Sequence, residues 1–439
     1  MQQYVGELVD LTDPSANILD NLTMEEARAR ISSGDPLAVR GIAGSFALVA
    51  REGDMVRMAR SLDRPIRYFL AKRAAGPALV VADRIDTIHA WLKAARLDDQ
   101  FHPNYTRMVP AHHVVTIHVV GCPDPNPTYT RFLVPQAGKL PADIGELGRI
   151  YIGILANEIT ARLQRIPPHA PVGVSFSGGT DSGSVFLVTY HVMRSLGMHL
   201  GRLKAFTLTN GGGPDGAQAR RFLEALDLGL FLETIEANES QLDADEAIRI
   251  IEDYKSLDVE CATMGLALLR GIRQRYPEWR YLFDGDGGDE NLKDYPIEEN
   301  PELTIRSVVN NPLLYQEGWG ISTMKHSLTY SGGMSRSCVR TYAPARHFGF
   351  DGFSPYARPA LVEMASSIPF DEITGYDLDR LYSLKGELVG KGVEAVTGLS
   401  MPIFPKRRFQ HGAFPEQTMR EQLPWDEAEY RKRFLALHE

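Results

Sequence analysis

The sequence is poor in cysteine. Its 439 residues include three, Cys122, Cys261 and Cys338, far apart and with no C-x-x-C pair. That excludes a zinc ribbon and a disulfide framework, and a reduced, cytoplasmic compartment fits best. Long apolar runs are also lacking. Ala78-Leu79-Val80-Val81-Ala82 stops at Asp83, far short of the roughly 20 residues a bilayer span needs. Met1-Gln2-Gln3-Tyr4-Val5-Gly6-Glu7 has no basic region leading into an apolar stretch, so no signal peptide and no membrane partner are expected. Positive charge is not in excess either: 47 Lys and Arg against 56 Asp and Glu give a net charge of −9. This balance argues against a nucleic-acid partner, because phosphate backbones demand clustered lysine and arginine. What remains is an ordinary globular composition, 44% hydrophobic and 23% charged. The chain is too long for one core, so two domains are expected.

The first 140 or so residues read as a small, strand-rich unit. Strand candidates are Ser45 to Ala50, Asp54 to Ala59, Pro77 to Ala82 and the β-branched His113 to Val120, with a helical stretch over Asp86 to Lys93. The proline-rich Cys122 to Pro127 cannot be regular structure, and Pro135 to Pro141 reads as a linker. The division is therefore 1–140 and 141–439. From Ile144 the pattern changes, with apolar residues at helical spacing through Ile159. Strands at Val172 to Phe176, Leu203 to Leu208, Phe231 to Ile235 and Tyr281 to Phe283 alternate with helices at Ser184 to Leu196, Gln218 to Leu226 and Thr263 to Arg275. Such alternation predicts an α/β fold on a parallel sheet. Residues beyond about 300 read as mainly helical.

Ligands of open α/β sheets sit at the carboxyl ends of the strands, and two glycine-rich loops are expected there. In Ser177-Gly178-Gly179-Thr180-Asp181-Ser182 the glycines let the backbone close around an anion, and the next helix offers free amides and its positive end. Ser177, Thr180 and Ser182 add hydroxyls, and Asp181 could hold a magnesium ion that bridges phosphate oxygens. The alternative is an ordinary glycine turn. Neither a Walker G-K-[ST] nor a Rossmann G-x-G-x-x-G is present. The second loop, Asp284-Gly285-Asp286-Gly287-Gly288-Asp289-Glu290, crowds four carboxylates into seven residues, which calls for a metal or a cationic substrate group. A calcium loop starting at Asp284 fails, because its sixth position is Asp289 and its twelfth Tyr295. A solvated acidic turn is the remaining alternative.

The first motif resembles that of pyrophosphate-loop ATPases, which cleave ATP between the α and β phosphates. Together the two loops resemble the synthetase domain of the asparagine synthetase family, where S-G-G-x-D-S is followed by S-G-E-G-x-D-E. The likeness extends to Leu203 to Leu208 with Pro214-Asp215, more loosely to Arg340 to Tyr356, and to Lys406-Arg407-Arg408-Phe409-Gln410-His411-Gly412. Gly44 to Ala47 and Ala59 to Asp63 resemble the later part of that family's glutaminase domain, so the N-terminal fold expected is β-rich α+β. Carried over residue by residue, the resemblance implies that Asp181 and Asp289 bind magnesium and pyrophosphate. Ser177, Gly178, Gly179 and Ser182 would cradle ATP's phosphates, and Leu208 and Gly285 would border the nucleoside. Lys406 would neutralise charge on the acyl-adenylate and leaving group, its alternative being a surface lysine in a basic run, and Lys385 is a weaker second candidate. Asp286 stands where the asparagine synthetases have glutamate and the β-lactam synthetases tyrosine, and could take a proton from an attacking amine.

Two departures shape the functional expectation. The family's glutaminase uses an N-terminal cysteine exposed by removal of methionine, whereas residue 2 is Gln2. Glutamine hydrolysis is therefore not expected, and the N-terminal domain reads as a degenerate glutaminase. Loss of that activity also resembles the β-lactam synthetases and the lasso-peptide macrolactam cyclases, which use an amine already on the substrate. The second departure, Asp286 for glutamate, shortens the side chain by one methylene. The leading expectation is an ATP-dependent, AMP-forming amide ligase with magnesium, acting on a small-molecule or peptide carboxylate and an amine or ammonia. Rivals are an asparagine synthetase using free ammonia, a pyrophosphate-loop enzyme acting on tRNA, and a catalytically silent binding protein. The assembly state is open, a homodimer among the options.

Overall fold

A strand whose two faces meet different partners must sort its side chains by parity, and the N-terminal strands do so. In the computed structural model the described residues are 6–118, 127–134, 136, 138–210, 214–295, 297–299, 303–311, 338–405, 412–414, 416–423 and 426–439. Their contacts form two units. One takes in Met1–Val134 and Lys432–Glu439, the other Pro135–Gln316 and Val339–Arg431, read over the described residues.

The first unit holds β1 (Glu7–Asp10), β2 (Ile18–Leu19), α1 (Met24–Ser33), α2 (Pro36–Arg40), β3 (Gly44–Ser45), β4 (Ala47–Glu52), β5 (Met55–Arg60), β6 (Arg67–Ala71), β7 (Ala78–Ala82), α3 (Ile85–Ala94), β8 (Arg107–Met108), β9 (His113–His118) and β10 (Thr128–Arg131). Two four-stranded sheets result, β1-β7-β6-β8 and β10-β9-β5-β4. Leu79 and Val81 of β7 join Val49, Val56, Met58 and Val115 in a core shared by both sheets. Ala78, Val80 and Ala82, on the opposite parity, pack with Ile88 and Leu92 of α3. The sequence reading missed β6, which begins at a buried arginine, and α1, although Thr23 and Glu26 close a capping box at its start. Residues 119 and 120, the end of the expected fourth strand, lie outside the described residues, as do Pro135 and Gln2.

The second unit follows the expected alternation. It contains α4 (Ile144–Leu163), β11 (Val172–Ser175), α5 (Thr180–Ser195), β12 (Leu203–Thr209), α6 (Pro214–Glu224), β13 (Leu232–Glu236), α7 (Ala244–Ile251), α8 (Ser256–Arg275), β14 (Tyr281–Phe283), α9 (Gly288–Leu292) and α10 (Ile305–Asn310). A mainly helical part follows: α11 (Ala343–His347), α12 (Pro359–Ser366), α13 (Phe370–Thr374), α14 (Leu378–Thr397), α15 (Glu416–Gln422) and the start of α16 (Glu427–Ala436), whose residues from Lys432 on belong to the first unit. It is interrupted by β15 (Asp351–Phe353), a strand absent from the sequence reading. The sheet is parallel throughout, in the order β13-β12-β11-β14-β15. Its core runs from α4 and α5 through β11 to α14, with Tyr151, Phe186, Phe222 and Leu388 buried. Helices on both faces account for the apolar runs of the central strands. Three helices start earlier than expected, α8 among them, which opens at Ser256 rather than Thr263. Thr180 rather than Ser184 opens α5, and Pro214 rather than Gln218 opens α6. Among the described residues no helix is long and apolar enough to cross a membrane.

Candidate active site

The order β12-β11-β14 sets the geometry. The loops after β11 and β14 are about 100 residues apart in sequence, yet leave neighbouring parallel strands at the same end. Gly178, at φ +72, turns the first loop where an added Cβ would lie 2.9 Å from the Ala219 backbone. Asp181 and Ser182 thus fall in the first turn of α5, at its positive end. The loop closes on itself: Ser182 Oγ lies 3.2 Å from both the Ser177 amide and Ser177 Oγ, and the Gly179 amide donates to Ser177 Oγ at 3.3 Å. Ser184 ties the helix down by donating to the Asp181 carbonyl at 2.8 Å, with Tyr356 OH 2.6 Å away.

The second loop packs directly on the first. A Cβ on Gly285 would sit 2.7 Å from the Ser182 amide, and one on Gly288 would overlap the Asp181 carboxylate. Only glycine lets the two backbones approach this closely. Asp284 is an anchor rather than a free carboxylate. Its Oδ2 accepts from Ser354 Oγ at 2.9 Å and its Oδ1 from the Asp286 amide at 3.0 Å. Asn291 holds α9 in place, donating to Tyr151 OH at 3.1 Å and the Tyr356 carbonyl at 2.9 Å.

Lys385, the weaker lysine of the sequence reading, stands at the junction. It projects from α14 and is only 5% exposed. Its ammonium donates to Asp181 Oδ2 at 2.5 Å and to Asp289, and lies 3.3 Å from Asp294 Oδ2. Burial opposes its charge, but the three carboxylates outweigh that and hold its pKa well above the ordinary lysine value. Asp181 is pushed up to about 7, by burial first; Lys385 pulls it down, and Asp289 and Asp294 push it up. Asp181 Oδ1 is buried and accepts no hydrogen bond from the described residues. Such an atom is costly unless something else takes it up.

That orphaned oxygen, beside Asp289, fits a magnesium ion shared with phosphate. Among the described residues no group of three or more His, Cys, Asp or Glu side chains is arranged to hold a metal by itself. Magnesium bound through one or two carboxylates plus substrate phosphates needs no such cage.

Asp286 heads a second cluster. Burial, together with Asp284, Glu290 and Asp289, raises its carboxyl well above the usual range, and Arg340 opposes them. Its Oδ2 is buried and accepts no hydrogen bond from the described residues. Arg340 donates through Nε to Asp258 Oδ1 at 3.1 Å. A carboxyl with a raised pKa and a free oxygen beside a glycine loop suits proton transfer. Asp258, Arg340 and Asp294 were missed as site residues: Asp258 and Arg340 reach the loops only through tertiary packing, and Asp294 shows its place only once Lys385 stands beside it. Leu208 is buried, one residue before the end of β12, at the same end of the sheet. Lys406 lies outside the described residues. Gly412, which ends its motif, is described; its carbonyl accepts from the Asp215 amide at 3.0 Å, and a Cβ there would overlap the Asp215 carboxylate.

No curated protein matches the chain. The stretch 164–323, which carries β11, both loops and Asp294, matches the asparagine synthase family, a likeness that supports an asparagine synthetase-like, ATP-binding, amide-forming ligase in general.

Proposed function

We propose that the protein adenylylates a carboxylate with ATP and passes the acyl group to an amine, releasing pyrophosphate and AMP, without hydrolysing glutamine. The observation that carries this reading is the contact of the two loops, with Asp181 and Asp289 on one buried ammonium. In the first step a carboxylate oxygen attacks the α-phosphorus and pyrophosphate leaves. The amides of the Ser177 loop, the positive end of α5 and Lys385 face that departing charge, an electrostatic task suited to preorganised donors. Magnesium, when bound, would be held by Asp181 and Asp289 and would neutralise phosphate oxygens. In the second step the amine nitrogen attacks the acyl carbon, AMP leaves, and Asp286 Oδ2 receives the proton the nitrogen sheds. Lys406 takes the role the resemblance gives it, neutralising the adenylate.

The substrates proposed are a small-molecule or peptide carboxylate and an amine, within one molecule or on two, or ammonia. The functional division proposed is a degenerate glutaminase-like domain over 1–140 and a synthetase domain over 141–439. The test is a screen of acid and amine pairs, and of peptides carrying both groups, for pyrophosphate and AMP. Amide with AMP supports the reading. ADP as the nucleotide product, or no nucleotide turnover with any pair, overturns it. Glutamine alone is expected to yield no glutamate above background, and a measurable glutaminase rate would remove that part.

A further inference from the structure

Three carboxylates surround the Lys385 ammonium, and they are not equivalent. The side chains of Asp289 and Asp181 are 32% and 20% exposed, that of Asp294 10%, and that of Lys385 6%. The more exposed pair belongs to the two loops. Asp294 lies behind them, where its amide donates to the Asp289 carbonyl at 3.1 Å, so the turn that ends α9 sets its position. It is preceded by Lys293, itself fixed in the left-handed region at φ +59, with Nζ donating to the Val308 and Asn311 carbonyls at 2.7 Å each.

A cation taken up on Asp181 Oδ1 and Asp289 draws on the same two carboxylates that hold Lys385 through Asp181 Oδ2 and Asp289 Oδ1. Once all three carboxylates are ionised, the state a bound divalent ion favours, one ammonium among them leaves two negative charges, enough to balance that ion. The ammonium still has to end beside an anion, since a buried lysine without one is costly. We infer that Asp294 is a positioning residue, the anion that keeps Lys385 in place when Asp181 and Asp289 turn to a divalent cation. This rests on the proposed function for the identity of the nucleotide site, but concerns metal binding and needs neither acid nor amine. Outer carboxylates of this kind hold first ligands in register and tune metal affinity.

Manganese is the probe. Free Mn2+ is followed by electron paramagnetic resonance as full-length protein is titrated with and without ATP, in wild type, Asp294→Asn, Lys385→Met and the double variant. Asp294→Asn is expected to weaken Mn2+ binding by about tenfold or more in the wild-type background, the usual effect of losing an outer partner. In the Lys385→Met background the same change should cost less than about threefold, since the ammonium it serves is gone. Asp294→Glu, which keeps the charge, should remain within about threefold of wild type. If Asp294→Asn does not fold, as judged by circular dichroism, Asp294→Ser takes its place. Equal losses in both backgrounds, unchanged binding in Asp294→Asn, or wild type that binds no Mn2+ would each overturn the inference. Coupling of Asp294 to Lys385 without AMP formation would sink only the catalytic reading; AMP formation without the coupling would sink only this one.

Discussion

Buried charge serves opposite ends at Arg60 in the first unit and at Asp181 and Asp286 in the second. In the first, Arg60 is fully buried, and its guanidinium is spent on backbone carbonyls: Nε on Val109 at 2.6 Å, Nη1 on Ser61, Leu62 and Arg64 at 3.0 to 3.3 Å. In the second, Asp181 and Asp286 each keep a buried oxygen that accepts nothing from the described residues, and their pKa values are raised. A charge whose bonds stay within the fold is a structural tie. One left with open valence at the carboxyl ends of parallel strands is held ready for something that arrives.

The comparison breaks most visibly at the open carboxylates. Asp181→Ala and Lys406→Ala should each cut AMP formation by about a thousandfold or more, with Lys406→Ala still binding ATP in a nucleotide titration. Retained turnover in either would remove the role assigned. Next comes Asp286→Asn. Amide formation should fall roughly 10²- to 10⁴-fold, while acid-dependent exchange of pyrophosphate into ATP persists, because only the second step needs the base. Arg60→Met tests the other side of the contrast. It leaves carbonyls unpaired in the first unit and should cost at least about 1–3 kcal/mol in denaturant unfolding, the usual penalty for a buried acceptor left unsatisfied. The Mn2+·ATP affinity of the folded fraction should not change; if it did, the arginine would be more than a tie.

The smallest effect sharpens the comparison at Lys293, a buried cation inside the second unit. Burial lowers its pKa from the ordinary 10.5 to about 7. Between those values the unfolded chain holds a proton that the folded chain does not, so the lysine's contribution to stability rises with pH, by up to about 1.4 kcal/mol per unit. Thermal unfolding from pH 7 to 9 should therefore show wild type gaining on Lys293→Met. A constant gap would mean that the two carbonyls and the Phe370 ring, 5.1 Å away, keep the ammonium charged throughout.

The parallel sheet and both loops were legible in the sequence because each is written in one contiguous stretch. A run such as Val172-Gly173-Val174-Ser175-Phe176 ending in Ser177-Gly178-Gly179 carries strand, turn and helix start together. What escaped was whatever depends on distant residues. Lys385 is 204 residues from Asp181 and 96 from Asp289, so no local pattern announces that it joins them. Asp294 looks like one more acid after α9 until the fold sets it beside that lysine. The strand β15 is three residues, Asp351-Gly352-Phe353, too short for periodicity to show, and it exists because β14 offers it an edge. α1 escaped for another reason. It buries little beyond Ala27 and Ile31, so its apolar stripe is thin even though its cap is plain.

The position of β14 between β11 and β15 also has a consequence for biosynthesis. As the ribosome extends the chain, the Ser177 loop emerges long before its neighbour, and Lys385 follows about 200 residues later. Until α14 arrives, Asp181 and Asp289 would have to meet without a counter-charge. Nucleotide capture therefore belongs to the finished chain, and a product truncated ahead of α14 would carry both loops with no ammonium to join them.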